Sequence, residues 1–250
     1  MKSLFTRVGP FLTHYLLDGE GPPVVLLHGG GGDSRQWLPN LEALARHHLV
    51  YAPDLPGFGS SRPLLDSYSL PSLASFVTSF LEAVELDTVA LVGHSMGGGT
   101  ALSLALESPQ RVEKLVLVNS LGLGEEIALW VRLLCLPTIP RALSRLTRAL
   151  VRRSSLLSPI HDAQRKLGRQ IAGLRGQRTV WTHRLKELRV PTLLVWGKRD
   201  LYLPVAHAYA ASQLIPDCQL HIWDNCGHSP YRDRRFNRIL LDFLRAKPLP

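Results

Sequence analysis

The residues Gly93-His94-Ser95-Met96-Gly97 carry the sharpest chemical signal in the chain, between a β-rich run ending at 92 and a helical pattern over 96–107. A strand-to-helix reversal this tight strains the central residue, and glycines two positions to either side remove the side chains that would clash. The Ser95 hydroxyl is then thrust out above the carboxyl ends of the strands, where open α/β sheets bind ligands. A serine hydroxyl is a poor nucleophile at neutral pH and needs an adjacent base, itself oriented by a carboxylate. Asp200, in Trp196-Gly197-Lys198-Arg199-Asp200, and His228, in Asn225-Cys226-Gly227-His228-Ser229, each follow a further β-rich run, hence lie on the same rim. Asp224 is the rival carboxylate, ranked lower because it sits at a strand end only four residues from His228.

Acyl transfer also needs backbone N–H donors aimed at the developing oxyanion. His28-Gly29-Gly30-Gly31-Gly32-Asp33 follows the run 24–27. Glycine lets backbone approach a substrate, so the first donor is the Gly30 N–H, and the second is that of Met96, after the nucleophile. A glycine-rich loop can also cradle phosphate, but GxxxxGK[ST] is absent and no acidic ribose partner follows. His28 reads as a hydrogen-bonding support under the loop. No metal or organic cofactor is called for.

These residues need a frame. The segments 24–29, 49–54, 88–95, 114–120, 192–200 and 219–225 are apolar on consecutive positions, as in strands covered on both faces. Helical patterns occupy 35–47, 70–86, 96–107, 204–214 and 231–245, and residues 3–17 add an edge hairpin turning near Gly9-Pro10. The alternation predicts an α/β fold, a mostly parallel sheet with helices on both faces joined by right-handed crossovers.

The stretch 121–185 breaks that alternation with Leu- and Arg-rich helical patterns and no convincing strand. It holds twelve Lys and Arg against three Asp and Glu, a net of +9, which is the whole formal charge of the chain. The expected organisation is a core of 1–120 and 186–250 carrying a helical, Arg-rich lid, 121–185, over the strand ends. Ile127, Trp130, Val131 and Leu134 form a stripe at helical spacing that either packs the lid down or lines an apolar pocket. Trp181 is likewise core or pocket wall. Gly31, Trp130, Leu134 and Trp181 are the candidate substrate contacts. Arg141, Arg145, Arg148 and Arg152 share one face: a solvated surface, a peripheral contact with an anionic membrane, or a steering field for carboxylate-bearing substrates.

At 250 residues with 45% hydrophobic and 20% charged residues, the chain is one domain with a small inserted lobe, and disorder is excluded. Cys135, Cys218 and Cys226 are too few and scattered for a disulfide framework or a CxxC metal site, and suit a reducing compartment, the cytoplasm. Arg7, Pro10 and His14 interrupt the opening segment, so no secretory signal is expected, and no apolar run is long enough to span a membrane. The basic residues are not interleaved with stacking aromatics and no recognition motif accompanies them, which argues against nucleic acid.

With HGGGG at 28–32, Asp54-Leu55-Pro56-Gly57-Phe58-Gly59-Ser60-Ser61, GHSMGG at 93–98, Asp200 and Gly227-His228, the chain resembles the α/β-hydrolase superfamily over nearly its full length. The resemblance implies the α/β-hydrolase fold, a mostly parallel eight-stranded sheet flanked by helices with a helical lid insertion. It implies Ser95 as nucleophile, His228 as base, Asp200 as its orienting partner and Gly30 and Met96 as oxyanion donors, with no cofactor. Serine at the elbow is unlike haloalkane dehalogenases and epoxide hydrolases, which use aspartate there. Meta-cleavage C–C hydrolases are similar in HGGG and SMGG, but typically carry Asn before the nucleophile and Trp after the histidine, where this chain has His94 and Ser229. The expectation is a carboxylesterase-like serine hydrolase acting on a small-molecule ester with an apolar acyl group. The alternatives are a C–C hydrolase and a catalytically silent lipid- or partner-binding member of the fold.

Overall fold

The computed structural model describes residues 1–62, 67–134 and 162–246. Eight strands form one sheet: β1 (Lys2–Val8), β2 (Phe11–Asp18), β3 (Pro23–Leu27), β4 (Leu49–Pro53), β5 (Val89–His94), β6 (Val112–Val118), β9 (Thr192–Gly197) and β10 (Cys218–Trp223), in the order β1-β2-β4-β3-β5-β6-β9-β10. β1 and β2 make the antiparallel edge hairpin, β2 pairs antiparallel with β4, and every later pair is parallel.

Consecutive apolar residues in the strands serve two separate cores. Val25, Leu27, Leu115, Leu117, Leu194 and Trp196 point to one face, beneath α2 (Leu70–Ala83), α3 (Met96–Glu107) and α6 (Ala206–Leu214). Their neighbours Val24, Leu26, Val116, Val118, Leu193 and Val195 point to the other, beneath α1 (Leu38–Ala45) and α7 (Arg234–Arg245). Side chains alternate across a strand, so burial on both faces needs an unbroken apolar run.

Helix ends follow local chemistry. The Ser69 hydroxyl accepts from the Ser72 N–H at 3.2 Å to open α2, with Pro71 in the first turn. Residues expected to continue helices 35–47 and 231–245 instead begin as 3-10 turns, Ser34–Trp37 and Pro230–Arg232, before α1 and α7.

Segment 121–185 departs from expectation. It contains α4 (Leu129–Leu134) and α5 (Asp162–Ile171), but also a small antiparallel hairpin, β7 (Ala172–Gly173) with β8 (Gly176–Gln177). The all-helical reading missed it because two-residue strands carry no periodicity. Gly176, at φ +135°, lies against the Glu125 backbone and leaves no room for a side chain. The Arg141, Arg145, Arg148 and Arg152 face, Cys135 and the Leu134 side chain lie outside the described residues. Among those described, no helix is long and apolar enough to cross a membrane.

Candidate active site

The strand order reverses between β3 and β5, whose register pairs Leu27 with Gly93. Three residues beyond each lie Gly30 and Met96, so adjacent parallel strands deliver the glycine loop and the elbow to one crevice. A Cβ placed on Gly30 would stand 3.8 Å from Met96 Cβ and 2.7 Å from Leu167 Cδ2, so α5 covers this point. Met96 opens α3, where N–H groups have no intrahelical acceptor, and among the described residues the Gly30 N–H has no acceptor either. Gly31 follows at φ +93°, exposed at the loop's tip.

Ser95 sits at φ +52° and ψ −112°, a conformation non-glycine residues rarely adopt. Its N–H donates to Val118 O at 3.0 Å, and its carbonyl accepts from Gly99 and Leu121 N–H groups at 3.1 Å each. Close approach demands the flanking glycines: a Cβ on Gly93 would come within 2.6 Å of Gly98 Cα, and one on Gly97 within 2.6 Å of the His28 carbonyl oxygen.

Asp200 and His228 meet. The His228 Nδ1–H donates to Asp200 Oδ2 at 2.7 Å, with the carboxylate fully buried. Oδ2 also accepts from the Asn119 side-chain amide, while Oδ1 accepts from the backbone N–H groups of Tyr202 (2.7 Å) and Leu203 (3.2 Å). Four donors thus hold this carboxylate. Asp224 instead forms an exposed ion pair with Lys198 at 2.8 Å. Among the described residues, neither the Ser95 hydroxyl nor His228 Nε2 is hydrogen-bonded.

His94 ties the two halves together. Its Nε2–H donates to the His228 carbonyl at 2.7 Å, and the two rings lie 4.8 Å apart. A carbonyl only accepts, so the proton is on Nε2 and Nδ1 is bare; Nδ1 is buried without a partner. Burial, then the neighbouring His228, hold His94 well below the usual histidine range, so it is neutral. His28 is a support, as its place under the loop implied: Nδ1–H donates to Gly29 O at 2.9 Å and Nε2 accepts the Leu55 N–H at 3.0 Å, with burial lowering its pKa.

Tyr202 stacks on His228 with centroids 4.5 Å apart, and half-exposed Trp130 packs edge-on against Tyr202 at 4.8 Å. Trp181 is buried against Gly122, in the same apolar core as Met96 and Leu167. Burial raises the pKa of the Cys226 thiol. Sequence reasoning passed over Asn119, Tyr202, Leu167 and His94. A polar residue ending the apolar run 114–118 was the available signal for Asn119; nothing local marked Tyr202 or Leu167.

Comparison with known proteins agrees with this architecture. The family model for the alpha/beta hydrolase fold matches residues 22–136. An uncharacterized protein of Mycobacterium tuberculosis is 31% identical over 96% of this chain and 80% of its own length. The 2-hydroxy-6-oxo-2,4-heptadienoate hydrolase of Pseudomonas putida is 32% identical over 92% of this chain and 91% of its own. The crystal structure of a bacterial membrane phospholipase A superposes with a TM-score of 0.80 at 26% identity, covering 97% of this chain and 85% of that one. The chain belongs to the alpha/beta-hydrolase fold family.

Proposed function

We propose that the protein is a serine hydrolase of carboxylic esters working through an acyl-enzyme. Ser95 attacks the ester carbonyl while His228 Nε2 takes the hydroxyl proton and then gives it to the departing alcohol. Water, deprotonated by the same imidazole, attacks the acyl-enzyme and releases the acid. Asp200 fixes the Nδ1–H tautomer and stabilises the imidazolium, and the Gly30 and Met96 N–H groups receive the oxyanion. The observation that carries this reading is the buried Asp200–His228 pair at 2.7 Å, moored by the His228 carbonyl to His94, the residue beside a strained Ser95. The Ser95–His228 hydrogen bond forms as substrate binds, since such bonds are often loose in unliganded sites. Leu167 above Gly30 favours an apolar acyl group.

A fluorophosphonate probe and p-nitrophenyl esters of increasing chain length test it. Labelling and turnover, both abolished in Ser95→Ala, are expected; turnover persisting in that variant would overturn it. The Pseudomonas putida relative supports a second reading, cleavage of a C–C bond in a dienoate acid. Labelling without ester turnover, together with decay of a 2-hydroxy-6-oxo-dienoate chromophore, would favour that reading.

A further inference from the structure

Four apolar side chains stand in water beside the mouth of the site: Leu129 (67% exposed), Trp130 (42%), Leu174 (69%) and Leu201 (76%). Hydrogen bonds assemble them into one patch. The Trp130 indole N–H donates to Leu201 O at 3.1 Å, and Arg132, on the same helix as Leu129 and Trp130, donates to Leu174 O at 3.4 Å. Leu174 and exposed Arg175 form the projecting turn between β7 and β8. The inner edge of the patch reaches the site, because Leu201 stands between Asp200 and Tyr202, and Tyr202 lies on His228. Clustered aliphatics at a rim mark an interaction surface.

The partner's chemistry follows from shape and charge. Leu174 and Leu201 stand on a turn and a loop and Leu129 on the first turn of α4, all well exposed, so the surface suits insertion more than a complementary protein face. Around the β7–β8 turn the side chains of Arg132, Arg169, Arg175 and Arg178 form no ion pair among the described residues, and Glu126 near them is tied to His207 at 2.7 Å. Arginines clustered beside exposed leucines fit the anionic headgroups and underlying acyl boundary of a bilayer. We propose that this patch is a docking surface for anionic lipid membranes, which brings the mouth of the site to the lipid surface. Docking of this kind stands whether or not the site cleaves esters.

Trp130 reports on docking, because the other four tryptophans, Trp37, Trp181, Trp196 and Trp223, are buried. Vesicles of phosphatidylcholine with phosphatidylglycerol are expected to carry the protein in flotation and to shift its tryptophan emission to the blue; pure phosphatidylcholine is expected to do neither. The pair Leu174→Ser/Leu201→Ser should abolish both signals. The pair Arg169→Gln/Arg175→Gln should weaken partitioning about 25-fold, at about fivefold for each charge removed. Raised salt should weaken it as well. All variants alter exposed side chains, so circular dichroism and turnover of a water-soluble short ester should stay at the wild-type level. Equal binding to both vesicle types, no flotation at low salt, or binding unaffected by either pair would overturn the proposal. Loss of the leucine-dependent emission shift to soluble polyglutamate, or concentration-dependent dimerisation through the same leucines, would assign the patch to a protein partner and overturn it too.

Discussion

At the scale of single residues, the Asp200 carboxylate decides the tautomer of His228, and its two oxygens are not equivalent. Oδ1 faces two backbone N–H donors, which cannot rotate away. In Asp200→Asn the amide oxygen must therefore occupy the Oδ1 position, leaving the NH2 group where Oδ2 met His228 Nδ1. That NH2 can only donate, so Nδ1 becomes the acceptor and the imidazole proton moves to Nε2, where it blocks proton uptake from Ser95. The expected outcome is a fall in kcat of roughly 10⁴ at neutral pH with KM little changed, read from ester hydrolysis. A loss confined to KM would contradict the assigned role. Asp200 and His228 were legible in the sequence because each follows an apolar run directly, so local order places it on the rim. Asn119 and Tyr202 were not, since their importance arises from packing against those two residues across strands.

At the scale of elements, the buried Lys114 of β6 is an anomaly that the structure explains. Its Nζ donates to the carbonyls of Phe243 (3.1 Å), Leu244 (2.5 Å) and Ala246 (2.6 Å), groups at the carboxyl end of α7 that no intrahelical N–H can reach. A cation at a helix carboxyl end is also favoured by the helix dipole. Burial lowers its pKa, a direct sign of the desolvation those bonds must offset. Lys114→Met keeps the aliphatic stem and strands the carbonyls, so a loss of about 2–4 kcal/mol is expected. That corresponds to roughly 5–15 °C in Tm by calorimetry, with catalytic parameters unchanged because β6 contacts the site only at its far end. An unchanged Tm would show that water replaces the ammonium. In the sequence, Lys114 reads as the polar start of a strand; its partners lie 129–132 residues away, beyond any local pattern. The strands themselves were legible because burial on two faces writes an unbroken apolar run, whereas the two-residue β7 and β8 write nothing.

At the scale of the whole molecule, three histidines from separate loops and strands make folding depend on proton concentration. Burial is the leading cause that holds His28, His48 and His94 below the ordinary value of 6.5, His94 furthest. Below pH 6.5 the unfolded chain takes up these protons before the folded one does, so stability falls as pH falls. It is fully present above 6.5 and lost progressively down toward each folded-state pKa. The slope reaches about 1.4 kcal/mol per pH unit for each proton taken up on unfolding. The carboxylates with lowered pKa, such as Asp33 and Asp233 (down to about 2), add their losses only near and below their ordinary 3.8, at more acid pH. Denaturant midpoints measured between pH 8 and about 5 should therefore be flat at first and then decline. Growing net positive charge adds to the decline in every variant, so the diagnostic quantity is a difference. His94→Gln removes one titrating group and should lower the slope by close to one proton, whatever its effect on absolute stability. Equal slopes for the two proteins would mean that His94 is charged within the fold, which its single donated bond to the His228 carbonyl and its unpartnered, buried Nδ1 argue against.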